Sequence, residues 1–150
     1  MRIIIQRAKN ANIVANGTDR GSFSNGLVVL VGIEDTDSQE DIQWLVKKIT
    51  NLRVFNDEQG VMNLSLLDTG GDLMIVSQFT LHASTKKGNR PSYIKAAKPA
   101  IAIPLYEAFV EEAQRVMNKP VYTGEFGADM QINFTNDGPV TIMIDSKNKE

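Results

Sequence analysis

The chain has 150 residues, of which 42% are hydrophobic and 23% are charged, and its formal net charge is −2. This composition is typical of a soluble globular protein, and the length fits one domain over residues 1–150. The absence of cysteine excludes disulfides and thiolate metal sites, and no apolar run is long enough for a membrane span or a signal peptide. We therefore expect a cytoplasmic protein that has no metal site and needs no cofactor.

The first part of the chain predicts short strands. Apolar and β-branched residues favour strands over Arg2–Arg7, Ala11–Ala15 and Gly21–Ser24, and a continuous apolar run predicts a buried central strand over Leu27–Ile33. Asn25-Gly26 lies between the last two of these segments. It predicts a β-hairpin, because a type I′ turn needs positive φ at both central residues.

A helix is predicted next. Ser38 can cap its N-terminus, with Asp41 three residues further on. Four apolar residues then recur at the spacing of one helical face: Ile42, Leu45, Val46 and Ile49.

The rest of the chain alternates between strand and helix signals. Strands are predicted over Arg53–Phe55 and Leu73–Leu81, and a second helix over about 100–117, with Pro104 in its first turn. Further strands are predicted in the C-terminal third: Val121–Thr123, Ala128–Thr135 and Val140–Asp145. Together these elements indicate a single-domain α+β fold, in which a curved antiparallel or mixed β-sheet or barrel is covered by two main helices.

A polar cluster interrupts the apolar strand that begins at Leu73. Strand alternation would place Gln78, Thr80 and His82 on one face. The cluster is either a site where hydroxyl, amide and imidazole groups converge, or a strand end whose polar groups bond to their neighbours. Residue types alone favour the second interpretation, because a threonine nucleophile needs a base within hydrogen-bond reach and nothing shows that His82 points at Thr80.

A second polar cluster, Asn136-Asp137-Gly138-Pro139, carries strong turn signals. Without further information it predicts an ordinary hairpin connection between two strands. A functional role would require the carbonyl groups of Gly138 and Pro139 to point into a pocket.

The segment between Asp72 and Glu107 contains no acidic residue. It does contain five cations: Lys86, Lys87, Arg90, Lys95 and Lys98. Such a group can neutralise several phosphates, or it can be an ordinary solvated loop, and the composition favours neither interpretation.

Over almost its whole length the chain resembles the D-aminoacyl-tRNA deacylase family. The resemblance rests first on two motifs, Ser77-Gln78-Phe79-Thr80 and the Asn-x-Gly-Pro-Val-Thr segment at 136–141. Further similar stretches lie at 51–55, 62–65, 87–92 and 126–130. The departures are slight and lie outside the two motifs: Ser84 stands where an acid is common, and the helix start near Ile103-Pro104 is longer.

The resemblance implies a homodimer with active sites at the subunit interface. In the family, the Gly-Pro bond is cis and enters the partner's site, which here would place Gly138 and Pro139 against residues Ser77 to Thr80 of the other subunit. Their carbonyl groups would meet the α-ammonium group and leave no room for an L side chain. Arg7 would orient the Gly-Pro segment, and Met130 belongs to the same set of substrate-binding residues. D-aminoacyl-tRNA is the implied substrate, and glycyl-tRNA is expected to be accepted as well.

The chemistry implied is hydrolysis of the ester that joins the amino acid to tRNA. Ser77, Gln78, Phe79 and Thr80 would form the catalytic segment, with the N–H groups of Phe79 and Thr80 stabilising the oxyanion. Lys86, Lys87 and Arg90 would contact the phosphates of the acceptor stem. Thr80 as a covalent nucleophile remains the rival mechanism.

Two other classes of function remain open on the sequence. A non-enzymatic RNA-binding domain would use the basic loop and could stack bases on Phe79 and Tyr93. A small general esterase would use Thr80 and His82.

Overall fold

One long two-stranded ribbon makes up the first fifth of the chain in the computed structural model, which describes residues 1–150. β1 (Arg2–Ala15) pairs antiparallel with β2 (Thr18–Gly32). The reversal lies at Asn16-Gly17, where φ is +47° and +79°. Strand formation over this region was expected, but as several shorter strands, and the hairpin predicted at Asn25-Gly26 is wrong.

Gly26 has a different reason to be glycine. It lies inside β2, paired with Ala8 on one side and with Asp72 on the other. A Cβ atom at this position would overlap the backbone carbonyl of Asp72. The glycine therefore permits a neighbouring strand to approach closely, and no turn requires it.

The remaining regular elements follow in chain order: α1 (Gln39–Asn51), β3 (Phe55–Asn56), β4 (Met62–Leu64), α2 (Leu66–Thr69), β5 (Asp72–Ser77), α3 (Pro99–Met117), β6 (Tyr122–Thr123) and β7 (Met130–Asp145). Five strands form the main sheet in the order β6-β5-β2-β1-β7, and β3 and β4 form a separate hairpin. β1 pairs antiparallel with β2 and β7, whereas β5 pairs parallel with β2 and β6. The sheet is therefore mixed, and the predicted α+β class is confirmed.

The two faces of this sheet bury separate clusters of apolar side chains. The larger cluster lies under the helices and includes Phe109 of α3 and the four predicted residues of α1, all of them buried. The smaller cluster joins both halves of the β1–β2 ribbon to β5 and to β7. Phe23 of β2 packs against Tyr122 of β6, two strands away in the sheet, with ring centroids 5.7 Å apart, so the sheet curves as expected. Asn10, with φ of +52°, lies where the pairing of β1 with β7 shifts register.

The ends of the helices are held by specific contacts. At the start of α1 the N–H of Ser38 donates to the carboxylate of Asp41 at 2.8 Å, as its cap sequence predicts. Burial raises the pKa of Asp41, but hydrogen bonds from Lys147 and Ser38 outweigh burial and hold that pKa well below its usual range. α3 begins with Pro99 in its first turn, so Pro104 lies inside the helix and not in the first turn as predicted.

α3 is tied to the sheet through a buried hydroxyl. Tyr106 donates a hydrogen bond to the carbonyl oxygen of Ile75 at 2.8 Å, and burial raises the pKa of Tyr106 well above its usual value. None of the helices combines the length and the apolar character that a bilayer crossing requires.

β7 differs from the prediction in its continuity. Two strands joined by a turn at Asn136–Pro139 were expected, but one strand runs through this segment without reversing. Gln6 pairs with Thr141 and Ala8 with Asn136, so residues 137–140 of β7 all lie opposite Arg7. Residues 137–140 therefore form a large β-bulge in β7, at the edge of the sheet.

Candidate active site

The polar cluster that follows β5 is a turn and does not continue the strand. β5 ends at Ser77, and residues Phe79–His82 form one turn of 3-10 helix. The N–H of Gln78 donates to the carbonyl of Val31 in β2 at 2.7 Å and anchors the start of this turn. The predicted strand to Leu81 is wrong, and so is the shared face of Gln78, Thr80 and His82, because strand alternation ends at Ser77.

Gly32 determines how closely this turn can approach β2. A Cβ atom on Gly32 would lie 2.9 Å from Cβ of Leu81, 3.0 Å from the carbonyl oxygen of Gln78 and 3.1 Å from Cδ2 of His82. Contacts this short would force the turn outward. The lack of a side chain at position 32 therefore helps to set the position of the 3-10 turn.

The turn leaves two backbone donors free. The N–H groups of Gln78, Leu81 and Ala83 donate to backbone carbonyls, whereas those of Phe79 and Thr80 have no acceptor in the protein. The first N–H groups of a helical turn point away from it and have no partner within it. Adjacent free N–H groups of this kind can stabilise a developing oxyanion.

Thr80 and His82 do not form a catalytic pair. The hydroxyl oxygen of Thr80 accepts a hydrogen bond from Nε2 of Gln78 at 2.6 Å. The side chain of His82 is 1% exposed, and neither of its ring nitrogens has a hydrogen-bond partner. The nearest carboxylate oxygen to its Nδ1 belongs to Glu34, 4.0 Å away. Thr80 therefore lacks an activating base in this structure.

A cavity of about 300 Å³ opens beside the 3-10 turn. It is bordered by the ends of β2 and β5, by the start of α3 and by β7: Val31, Ile33, Val76, Ser77, Gln78, Phe79, Ala97, Ala102, Phe126, Gly127, Ala128, Met130 and Ile132. The lining contains no carboxylate, imidazole, amine or guanidinium group. It can hold an apolar group and orient a polar one, but it offers no side chain that could act as a general base.

Four of the predicted residues, Ser77, Gln78, Phe79 and Met130, line this cavity. Thr80 lies on the same turn, outside the lining. Three small residues of the lining were not predicted as site residues: Ala97, Ala102 and Ala128. Their types carry no signal, because alanine is as common in ordinary cores and helices as it is in ligand pockets.

An aromatic pair and a basic loop follow the cavity-lining residue Phe79. Phe79 is 55% exposed, and its ring meets that of Tyr93 at 5.0 Å in an edge-on arrangement. The chain between them closes through paired backbone hydrogen bonds between Ser84 and Ser92. The predicted cations Lys86, Lys87 and Arg90 lie on this closed loop, and all three are exposed.

The Gly138-Pro139 segment lies outside the cavity of its own chain. Its peptide bond is cis, as expected, and both residues are exposed on the bulge of β7. Arg7 fixes this bulge from below: its Nε donates to the carbonyl of Asp137 at 3.0 Å, and its Nη1 donates to the carbonyl of Val54 at 2.6 Å. Asn56 accepts a further bond from Arg7 at 3.3 Å.

Arg7 is only 8% exposed, so most of its side chain is packed among neighbouring residues. Gly138 has φ of +124°, and a Cβ atom there would lie 3.0 Å from Nη2 of Arg7. These contacts restrain the bulge, and Gly138 and Pro139 are exposed on it. The contact between Arg7 and the Gly-Pro segment was expected, whereas the part played by Val54 and Asn56 was not.

Comparison with known proteins gives a consistent result. The family model described as D-Tyr-tRNA(Tyr) deacylase matches residues 4–145. A D-aminoacyl-tRNA deacylase of Parabacteroides distasonis is 63% identical over 150 residues, and one of Bacteroides thetaiotaomicron is 59% identical, with both chains covered completely in each case.

Two solved structures have similar folds. A c-Myc DNA unwinding element binding protein is 36% identical, with a TM-score of 0.91 over 97% of this chain and 98% of the other. A probable eukaryotic D-amino acid tRNA deacylase is 19% identical, with a TM-score of 0.81 over 95% of this chain and 97% of the other, and its likeness concerns the fold alone.

Proposed function

Because this chain belongs to the D-Tyr-tRNA(Tyr) deacylase family, we propose that it hydrolyses the ester of D-aminoacyl-tRNA and releases the free D-amino acid and tRNA. The observation that carries the mechanism is the pair of free N–H groups on Phe79 and Thr80 beside an apolar cavity. Because its proposed substrate is an aminoacyl-tRNA, we expect the enzyme to act in the cytoplasm.

The chemistry depends on holding the ester and stabilising its oxyanion. An ester carbonyl placed at the mouth of the cavity would direct its oxygen toward the N–H groups of Phe79 and Thr80. One such donor typically lowers a barrier by about 3 kcal/mol. Because the lining offers no base, water is the attacking group, aided by the 2′-hydroxyl group of the substrate's own terminal adenosine.

Thr80→Ala tests whether the hydroxyl takes part. We expect kcat to stay within about tenfold of wild type, because backbone groups stabilise the transition state, whereas loss of a true nucleophile costs on the order of 10⁶ in kcat. The measurement is single-turnover hydrolysis of D-tyrosyl-tRNA, with Thr85→Ala on the neighbouring loop as the matched control. A loss of many orders of magnitude in a folded Thr80→Ala protein would establish Thr80 as the nucleophile.

The choice between D and L substrates is assigned to the main chain of Gly138 and Pro139, provided by a second subunit. The segment is exposed, held by Arg7 and excluded from its own cavity, so it is available to another molecule. β7 is an edge strand, and Met143 on it is 70% exposed, which suits a two-fold contact between identical edges.

In such a homodimer the carbonyl groups of Gly138 and Pro139 accept hydrogen bonds from the α-ammonium group. A D side chain points out of the pocket, whereas an L side chain collides with main-chain atoms. Discrimination of this kind works by excluding the wrong isomer. It accepts many D-amino acids, and it also accepts glycine, which has no side chain to exclude.

Parallel incubation with D-tyrosyl-tRNA, L-tyrosyl-tRNA and glycyl-tRNA tests the proposed function. We expect loss of the D-tyrosyl and glycyl esters and persistence of the L-tyrosyl ester. Equal hydrolysis of both tyrosyl esters would indicate a general esterase. Binding of tRNA without turnover would indicate a non-enzymatic RNA-binding protein.

The basic loop is assigned to the phosphates of the acceptor stem. Replacing Lys86, Lys87 and Arg90 by Gln should weaken tRNA binding and flatten the dependence of log Kd on log salt by about 1 for each phosphate that the variant no longer neutralises. The measurement is a salt titration of tRNA binding from low to moderate ionic strength. A slope equal to that of wild type would move the RNA-binding surface elsewhere on the protein.

A further inference from the structure

The cations of this chain fall into two classes according to their partners. Of the 16 lysine and arginine residues, six have a carboxylate oxygen within 4.0 Å: Arg2, Arg7, Lys9, Arg115, Lys119 and Lys147. Five of the others belong to the basic segment 86–98 beside the cavity. Four more gather around Trp44: Lys47, Lys48, Arg53 and Lys149. The cations without an ion-pair partner are thus concentrated in two places, of which the proposed function uses one.

The second group borders a groove, here called the Trp44 groove. It has a volume of about 580 Å³ and is lined by Trp44, Lys47, Lys48, Asn51, Leu52, Arg53 and Val54, with no acidic side chain. Nζ of Lys48 lies 5.5 Å from the centre of the Trp44 ring, and Nζ of Lys149 lies 4.6 Å from it. A helix dipole favours a lysine in the last turn of α1. Arg53 lies beyond the helix, and its Nε donates to the carbonyl of Asn63 at 2.8 Å, which leaves its two Nη groups without a hydrogen-bond partner in the protein.

The groove is connected directly to the Gly138-Pro139 bulge. Val54, at one end of the lining, accepts the hydrogen bond from Nη1 of Arg7, and Nε of the same guanidinium bonds to Asp137. The buried side chain of Arg7 therefore fixes the position of the groove relative to the bulge. If the bulge enters the active site of a second subunit, the groove comes to lie beside the substrate bound there.

We propose that the Trp44 groove binds the phosphodiester backbone of the tRNA whose ester lies in the partner subunit's active site. This inference rests on the proposed function. Each tRNA is then held from two sides: by the 86–98 segment of the subunit that provides the cavity, and by the Trp44 groove of the subunit that provides Gly138-Pro139. Lysine and arginine at the groove neutralise phosphates, and the half-buried Trp44 ring holds the ammonium groups of Lys48 and Lys149 beside it.

The test compares Lys47→Gln/Lys48→Gln with the charge-matched control Arg20→Gln/Lys119→Gln, whose residues lie outside both groups. Hydrolysis of full-length D-tyrosyl-tRNA is followed as a function of salt, and D-tyrosyl-adenosine serves as a substrate without phosphates. For the groove variant we expect kcat/KM on tRNA to fall about tenfold through KM, and the salt slope to flatten by about 1 to 2. Its rate on D-tyrosyl-adenosine should equal that of wild type, and Lys47→Arg/Lys48→Arg should keep the wild-type salt slope.

A groove variant with the wild-type salt slope on tRNA would overturn the proposal. So would an equal loss on D-tyrosyl-adenosine, because the substitutions would then act on the active site and not on RNA binding. Failure of the proposed function is seen separately, as the inability of the wild-type protein to hydrolyse either D-tyrosyl ester.

Discussion

Arg7→Met is expected to lower kcat/KM for D-aminoacyl-tRNA by about 100-fold, because a displacement of roughly 1 Å in a positioning group has an effect of this size. The substitution removes the donors that fix Asp137 and Val54 and leaves their carbonyls without these partners. Burying unsatisfied carbonyls should also lower the free energy of unfolding by about 1–3 kcal/mol. Activity is therefore measured well below the unfolding temperature, on protein with an unchanged circular dichroism spectrum.

Two comparisons make the Arg7 result interpretable. Arg115→Met removes an exposed arginine whose ion pair with Glu112 contributes little to stability, and it should leave activity unchanged. Arg7→Lys should recover little activity. A lysine ammonium lacks the planar arrangement of donors with which the arginine guanidinium bonds to the carbonyls of Asp137 and Val54 at the same time. Wild-type hydrolysis by Arg7→Met would show that the restrained bulge is not needed.

Ala97→Phe is expected to abolish measurable hydrolysis, with a loss in kcat/KM of at least about 100-fold. Ala97 lines the cavity, and its N–H is bonded to the carbonyl of Ile33 at 2.9 Å, so the main chain cannot easily retreat from a larger side chain. The phenyl ring must therefore enter the cavity.

Ala96→Phe is the matched control for the blocked cavity. Ala96 is half-buried, precedes Ala97 directly and does not line the cavity. Hydrolysis is measured with D-tyrosyl-tRNA for both variants, and Ala96→Phe should retain most of the wild-type rate. Equal rates for the two variants would mean that the substrate does not use this cavity.

Elements whose structure depends on residues close together in the sequence were predicted correctly. The apolar face of α1 follows from helical spacing alone, and Ser38 with Asp41 forms its cap as predicted. The apolar run in Leu27–Ile33 is indeed a central buried strand. The segment predicted to be catalytic does border a cavity, which Ser77, Gln78, Phe79 and Met130 line.

Where the partner of a residue is distant in sequence, local signals gave the wrong structure. Gly26 is glycine because the backbone of Asp72 lies against it, and no short-range pattern contains that information. The Asn136–Pro139 segment has every feature of a hairpin turn, yet pairing of β7 with β1 on both sides turns it into a bulge. The clamp on that bulge depends on Val54, a residue whose type reveals nothing of its carbonyl's role.

In the proposed dimer, one subunit contributes the cavity and the other contributes Gly138-Pro139. This arrangement can be tested by co-expressing Ala97→Phe and Arg7→Met chains with different tags and isolating the doubly tagged dimer. One of the two sites in that dimer combines an intact cavity with an intact bulge, so we expect about half of the wild-type kcat with an unchanged KM. A mixed dimer as inactive as its parents, or a protein that stays monomeric while it hydrolyses D-tyrosyl-tRNA, would contradict this arrangement.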